Sequence, residues 1–169
     1  THFSFAQGFQ WVADKIRTDT GEDVGFTLEA LPPGTNAPGR VKPSAADTGP
    51  QLKKCSSVLA IQCFLPEIWV GSADETALVS WKRDFSSAWV KSGIPFIQDV
   101  GPGYDARIVF PRSVIYGNSK YWRDSQTQMV VDFASAGITY NAWNGYSEGF
   151  AGMPTVEYGD VNFRWAQAV

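Results

Sequence analysis

Apolar residues recur along the chain with two alternating periods. From residue 3 to about 19, Phe5, Phe9, Val12 and Ile16 repeat at helical spacing, while Asp14, Lys15, Arg17 and Asp19 fall elsewhere. This predicts an amphipathic helix. The run Val24-Gly25-Phe26-Thr27-Leu28, closing in Glu29, has the length and composition of a strand. Residues 32 to 50, rich in Pro, Gly, Ala and Ser, show no periodicity and read as a long loop. Ser57 to Phe64 is almost unbroken apolar sequence, as expected of a strand buried on both faces in a parallel sheet. It runs into Pro66-Glu67.

A strong helix is predicted over 74–92, with Leu78, Trp81, Phe85 and Ala88 as its stripe, Asp74 as N-cap and Gly93 just past its end. A third strand, Ile94 to Gln98, ends in Asp99 and is followed by the loop Gly101-Pro102-Gly103-Tyr104-Asp105. A helix over about 119–136, with Trp122, Met129, Val130 and Phe133 inward and Gly137 closing it, leads to a fourth strand, Ile138 to Asn144. The tail around Phe163 and Trp165 reads as a last short helix. Alternation of this kind means βαβ units and a parallel α/β sheet. Residues 1–169 read as a single domain of four strand–helix units. A full eight-stranded barrel takes about 250 residues, so the pattern fits half of a (β/α)8 barrel. A bare half leaves open edges, which self-association into a homodimer or pairing with a missing half-barrel would close.

Each predicted strand runs into a carboxylate: Glu29, Glu67, Asp99 and Glu148. Strand C-termini share one face in α/β folds, so the four acids are expected at a common mouth. Glycoside hydrolysis needs such a set, one carboxyl group protonating the leaving oxygen and another acting as nucleophile or base. Taken singly, an acid after a strand is ordinarily a cap or a solvated loop residue, so the coincidence of four is the signal.

Composition narrows the alternatives. Seven Trp, six Tyr and eleven Phe supply rings for a core and for stacking on sugar faces. A net charge of −3 with no Lys/Arg run gives nucleic acid little to bind. The single histidine, His2, falls in the N-terminal helix away from any strand end, which argues against Ser-His-Asp and Cys-His machinery. Histidine and cysteine are too scarce for a zinc site, and phosphate-loop and dinucleotide patterns are missing, so no metal and no cofactor is expected. No apolar run reaches the length of a membrane span. Cys55 and Cys63 flank a predicted strand, roughly 26 Å apart if extended, which favours two free thiols unless the chain folds back through a turn. The start at Thr1, without a leader, fits a processed or truncated N-terminus and, with the sugar chemistry, an extracellular or periplasmic protein.

Residues Tyr140-Asn141-Ala142-Trp143-Asn144-Gly145-Tyr146-Ser147-Glu148-Gly149 resemble the final-barrel-strand motif of several polysaccharide hydrolases, the endo-α-mannanase/mannosidase and fungal α-1,3-glucanase types. There a Trp-Asn pair is followed within a few residues by Glu-Gly. The resemblance spans about residues 75 to 158 and is most specific from Trp143 to Gly149. It implies Glu148 as general acid/base, Asn144 on a sugar hydroxyl and Trp143 as the floor of a subsite, with Tyr146 beside them. The mannan-cleaving members carry a second acid where Gly145 stands here. A partner must then come from another strand, Asp99 first and Glu29 second. Tyr104, Asp105 and Glu67 complete the expected contacts to a polysaccharide or oligosaccharide, although Tyr104-Asp105 reads equally well as a plain turn. A non-catalytic carbohydrate-binding barrel remnant is the rival reading, and a structural subunit a third.

Overall fold

A computed structural model describes residues 5–30, 45–64, 66–70, 72–111, 115–142, 144–145 and 151–169. Helix α1 (Phe5–Thr20) leads into strand β1 (Phe26–Glu29), helix α2 (Ala45–Leu52), strand β2 (Val58–Gln62) and a 3-10 turn (Pro66–Trp69). Helix α3 (Glu75–Lys91), strand β3 (Ile97–Val100), two-residue strands β4 (Gly103–Tyr104) and β5 (Tyr116–Gly117), helix α4 (Lys120–Phe133), strand β6 (Gly137–Tyr140) and helix α5 (Val161–Ala168) complete the order. The architecture is mixed α/β. β1 pairs parallel with β2, Ile61 of β2 bridges parallel to Phe96 just ahead of β3, and β3 pairs parallel with β6 from Ile97↔Gly137 to Val100↔Tyr140. The four longer strands among the described residues therefore lie side by side in chain order, their C-terminal ends on one edge.

Helices form where the chain supplies both stripe and cap. At α3, the Asp74 carboxylate accepts from the Thr76 and Ala77 backbone N–H groups at 2.9 and 3.3 Å, satisfying donors that have no partner in a first turn. Gly93, at φ +79°, takes the left-handed turn that ends the helix. The buried stripe differs from the expected one. It is Leu78, Lys82, Phe85 and Trp89, whereas Ala88 is exposed and Trp81 is half-buried, its ring stacked on Phe85 at 5.4 Å. In α1, Phe9 packs on the core, but the buried positions belong to Ala6 and Ala13, and Val12 is exposed.

Three further expectations are corrected. Residues 45–52 form a helix rather than loop, even with Pro50 inside it. Packing overrides propensity there: Gly49 sits so close to Ser92 that a β-carbon would collide with it, and Leu52 is buried. Asp99 lies inside β3, not beyond it, because Pro95 has no N–H to pair and contributes only its carbonyl, to the Ile61 N–H at 2.9 Å. Gly137 opens β6 instead of closing α4, which ends at Phe133 with Ala134 as its cap. The pair β4–β5 is an antiparallel addition that the sequence pattern did not show.

Two apolar clusters cover the sheet. One joins α1, α2, α3 and β2 through Leu52, Ile61, Phe85, Trp89 and Phe96; the other joins α3, β5 and α4 through Leu78, Tyr116, Trp122 and Met129. Burying each of these large side chains stabilises the fold by about 1.5–3 kcal/mol. Cys55 and Cys63 are both buried and unbridged.

Candidate active site

The strand ends gather acids. Glu29 is the last residue of β1 and is exposed, Glu67 sits in the 3-10 turn after β2, and Asp99 lies in β3; the latter two are buried. Cys63, one residue past β2, senses all three. Burial is the main cause that pushes its thiol far above the ordinary range, and the charges of Asp99, Glu29 and Glu67 add to it, with Lys82 opposing. Three of the four predicted acids thus share one neighbourhood. The fourth, Glu148, lies outside the described residues, as do Trp143 and Tyr146. Asn144 is described, and exposed.

Lys82 organises the buried part. It has no exposed surface, and its ammonium lies 3.2 and 3.0 Å from the two oxygens of Glu67, 2.9 Å from Gln126 Oε1 and 3.7 Å from Asp99 Oδ2. It also stands 5.9 Å over the Trp122 ring. Two carboxylates and one ammonium in the interior hold together because each charge has partners; an unpaired one is strongly disfavoured. On its other side Asp99 Oδ1 accepts from the Asn141 side-chain amide and from Thr139 Oγ1 at 3.3 Å, the neighbouring positions of β6 and just after it. Gln126 extends the network to the loop after β3, bonding both the carbonyl and the N–H of Gly101, while Trp122 Nε1 donates to the same carbonyl at 2.9 Å.

Sequence reasoning missed Lys82, Gln126 and Asn141. A signal existed for two of them. Lys82 stands between Leu78 and Phe85, and Gln126 between Trp122 and Met129, each four residues after one apolar anchor and three before the next. A polar residue on a helix's inward face needs a buried partner.

Tyr104 and Asp105 are not brought to the acids in the expected way. Tyr104 is half-buried and stacks on Tyr116 at 5.8 Å. Asp105 accepts from Arg107 three times: its backbone N–H at 3.2 Å, Nε at 2.8 Å and Nη2 at 2.7 Å. Those hydrogen bonds hold its carboxyl below the usual range. Asp105 and Arg107, with Ile108, Ala151, Thr155, Glu157 and Tyr158, line an open cleft of about 550 Å³. Residues 101–111 leave the end of β3, and Gly152 is held to Ala142 just past β6, so this cleft belongs to the strand-end side of the sheet. The Gly152 N–H donates to the Ala142 carbonyl at 2.8 Å, and a β-carbon there would fall 2.6 Å from the Tyr140 ring.

Among the described residues, no group of three or more His, Cys, Asp or Glu is arranged to hold a metal ion, and no helix is long and apolar enough to cross a membrane. Among solved structures, the chain is similar to a glycoside hydrolase-like protein, with a TM-score of 0.65 over 99% of this chain at 12% identity. The fold is glycoside hydrolase-like. At that identity the likeness speaks for fold alone, and the chain spans 50% of the length of that structure. No family model and no curated protein matches the chain.

Proposed function

We propose that this chain is half of a (β/α)8-type barrel that hydrolyses glycosidic bonds in a polysaccharide, secreted or periplasmic, with a second copy or a separate half-barrel completing the ring. The observation that carries the reading is the convergence of Glu29, Glu67 and Asp99 around Cys63 at the ends of parallel strands. Glu148 is the general acid/base. Exposure selects its partner: Glu29 is open to water and substrate, whereas both Asp99 oxygens are engaged by Asn141, Thr139 and Lys82. In this reading Asp99 is a fixed negative charge that positions Asn141 and the segment after β6.

The test is a panel of purified polysaccharides incubated with the protein and read for new reducing ends. Removing an acid/base group lowers rate by about 10²–10⁴-fold. Glu148→Gln and Glu29→Gln are each expected to fall in that range. Full reducing-end release by Glu148→Gln on every active substrate would overturn the mechanism. Light scattering at micromolar concentration should give twice 18.5 kDa if a second copy completes the barrel.

One observation favours a binding-only reading. Lys82 ties up Glu67 and Asp99 in the interior, which leaves fewer acids for chemistry. That reading expects retention on a polysaccharide with no reducing ends released from any of the panel.

A further inference from the structure

The cleft after β3 and β6 has a lining separate from the acids described above. Its volume, about 550 Å³, falls within the range of roughly 300–1,000 Å³ common for small-molecule sites. Tyr158 supplies an aromatic face, 43% exposed, and Ile108 an apolar wall, 84% exposed, beside the buried Ala151.

The polar groups are complementary and fixed. Arg107 has five N–H donors on its guanidinium and spends two on Asp105, so about three remain for another acceptor. Glu157 is exposed and, ionised, only accepts. Its turn is fixed by the Thr155 N–H donating to the Gly159 carbonyl and the Tyr158 N–H donating to Thr155 Oγ1, both at 3.0 Å, with Gly159 at φ +55°. A preset turn lowers the ordering cost of binding. Spare donors on Arg107, an acceptor at Glu157 and the Tyr158 ring, all lining one cleft, match vicinal hydroxyls around the apolar face of a pyranose. Among the described lining residues, one guanidinium against two carboxylates leaves one negative charge in excess, which disfavours carboxylated sugars.

We infer that this cleft is a binding subsite for a neutral oligosaccharide, with Tyr158 as stacking platform and Arg107, oriented by Asp105, and Glu157 as hydroxyl partners. The inference rests on the carbohydrate reading of the same rim. It adds three residues to the site and a discrimination against uronic-acid polymers.

Native gel electrophoresis through soluble polysaccharide tests it, with the Glu148→Gln protein as background so that hydrolysis does not erode the matrix. Galactomannan, mixed-linkage β-glucan and soluble starch are the neutral matrices and polygalacturonate the acidic one. At least one neutral matrix is expected to retard the protein and polygalacturonate none. Adding Tyr158→Ala should weaken retention about tenfold or more, Tyr158→Phe should keep it, and Arg107→Ala should weaken it. Thermal midpoints should move little, since Tyr158 is a surface residue, 43% exposed. Equal retention of Tyr158→Ala, stronger retention by polygalacturonate, or no retention by any neutral matrix would each overturn the inference. Failure of this site is distinguishable from failure of the hydrolase reading. In the first, reducing ends appear and Tyr158→Ala still binds; in the second, binding follows Tyr158 while no reducing ends appear.

Discussion

Asp99 and Asp105 stand six residues apart on the same stretch of chain, and their surroundings make them different groups. Asp99 is buried between Thr139 and Asn141 on one side and Lys82 on the other, in a network that reaches Glu67, Gln126 and the Gly101 backbone. Asp105 lies on the surface, gripped by one neighbour, Arg107. Both are carboxylates paired with cations, yet a buried pair resists the removal of one partner far more than an exposed pair does. One region of the strand-end face is thus interior and interlocked, and the other is an open surface cleft.

The sharpest way to break this comparison is to remove Lys82. Lys82→Met keeps most of the volume and leaves Glu67 and Asp99 buried without their shared cation. Denaturant unfolding should show a loss of about 3–5 kcal/mol, the usual cost of orphaning a buried charge. Adding Glu67→Leu should return a good part of it, because a carboxylate is removed along with its partner. A Lys82→Met protein as stable as the parent would mean that the network contributes nothing, and the contrast between the two regions would disappear.

The pattern of apolar residues made the parallel strands, the N-cap Asp74 and the terminal Gly93 of α3 legible, because period and capping chemistry are local properties. What it left hidden depends on partners far along the chain. Lys82 and Gln126 occupy stripe positions on two different helices, and each looks like an error until the other is placed beside it at 2.9 Å. Helix α2 reads as loop because Pro50 and Gly49 disfavour helix, and only the close approach of Ser92 explains them. Strands β4 and β5 are two residues each, too short to have a period, and they pair because Gly103 and Gly117 let the backbones approach. The cleft was half legible: Asp105 was a candidate, but Tyr158 and Arg107 gain meaning only once the segments after β3 and β6 face each other.

A second prediction probes the buried region through Cys63. Burial and the nearby Asp99, Glu29 and Glu67 charges hold its proton on beyond the ordinary 9.0. The folded thiol therefore binds a proton that the unfolded thiol has lost above that pH. Stability from this group is present below 9.0 and declines as pH rises past it. Since the thiolate is the reactive form, a disulfide reagent should modify Cys63 in the native protein slower than in the unfolded chain by roughly a hundredfold or more. Modification at the unfolded rate would place the thiol outside the acid cluster.

The smallest effect belongs to the exposed pair, and its smallness is the point. Arg107→Ala removes the two guanidinium hydrogen bonds to Asp105 and leaves the one from the backbone N–H. The pair is on the surface, so solvent screens it and the unfolding midpoint at neutral pH should fall only slightly. The carboxyl titration should shift. Held below its usual 3.8 by Arg107, Asp105 adds stability above that pH, and the contribution is lost as pH falls through the depressed value. In Arg107→Ala the carboxyl resonance followed by NMR should titrate closer to the ordinary position, with the backbone hydrogen bond alone left to lower it. If it stayed low, another cation would be holding Asp105, and the Arg107 donors assigned to a sugar would have to be counted again.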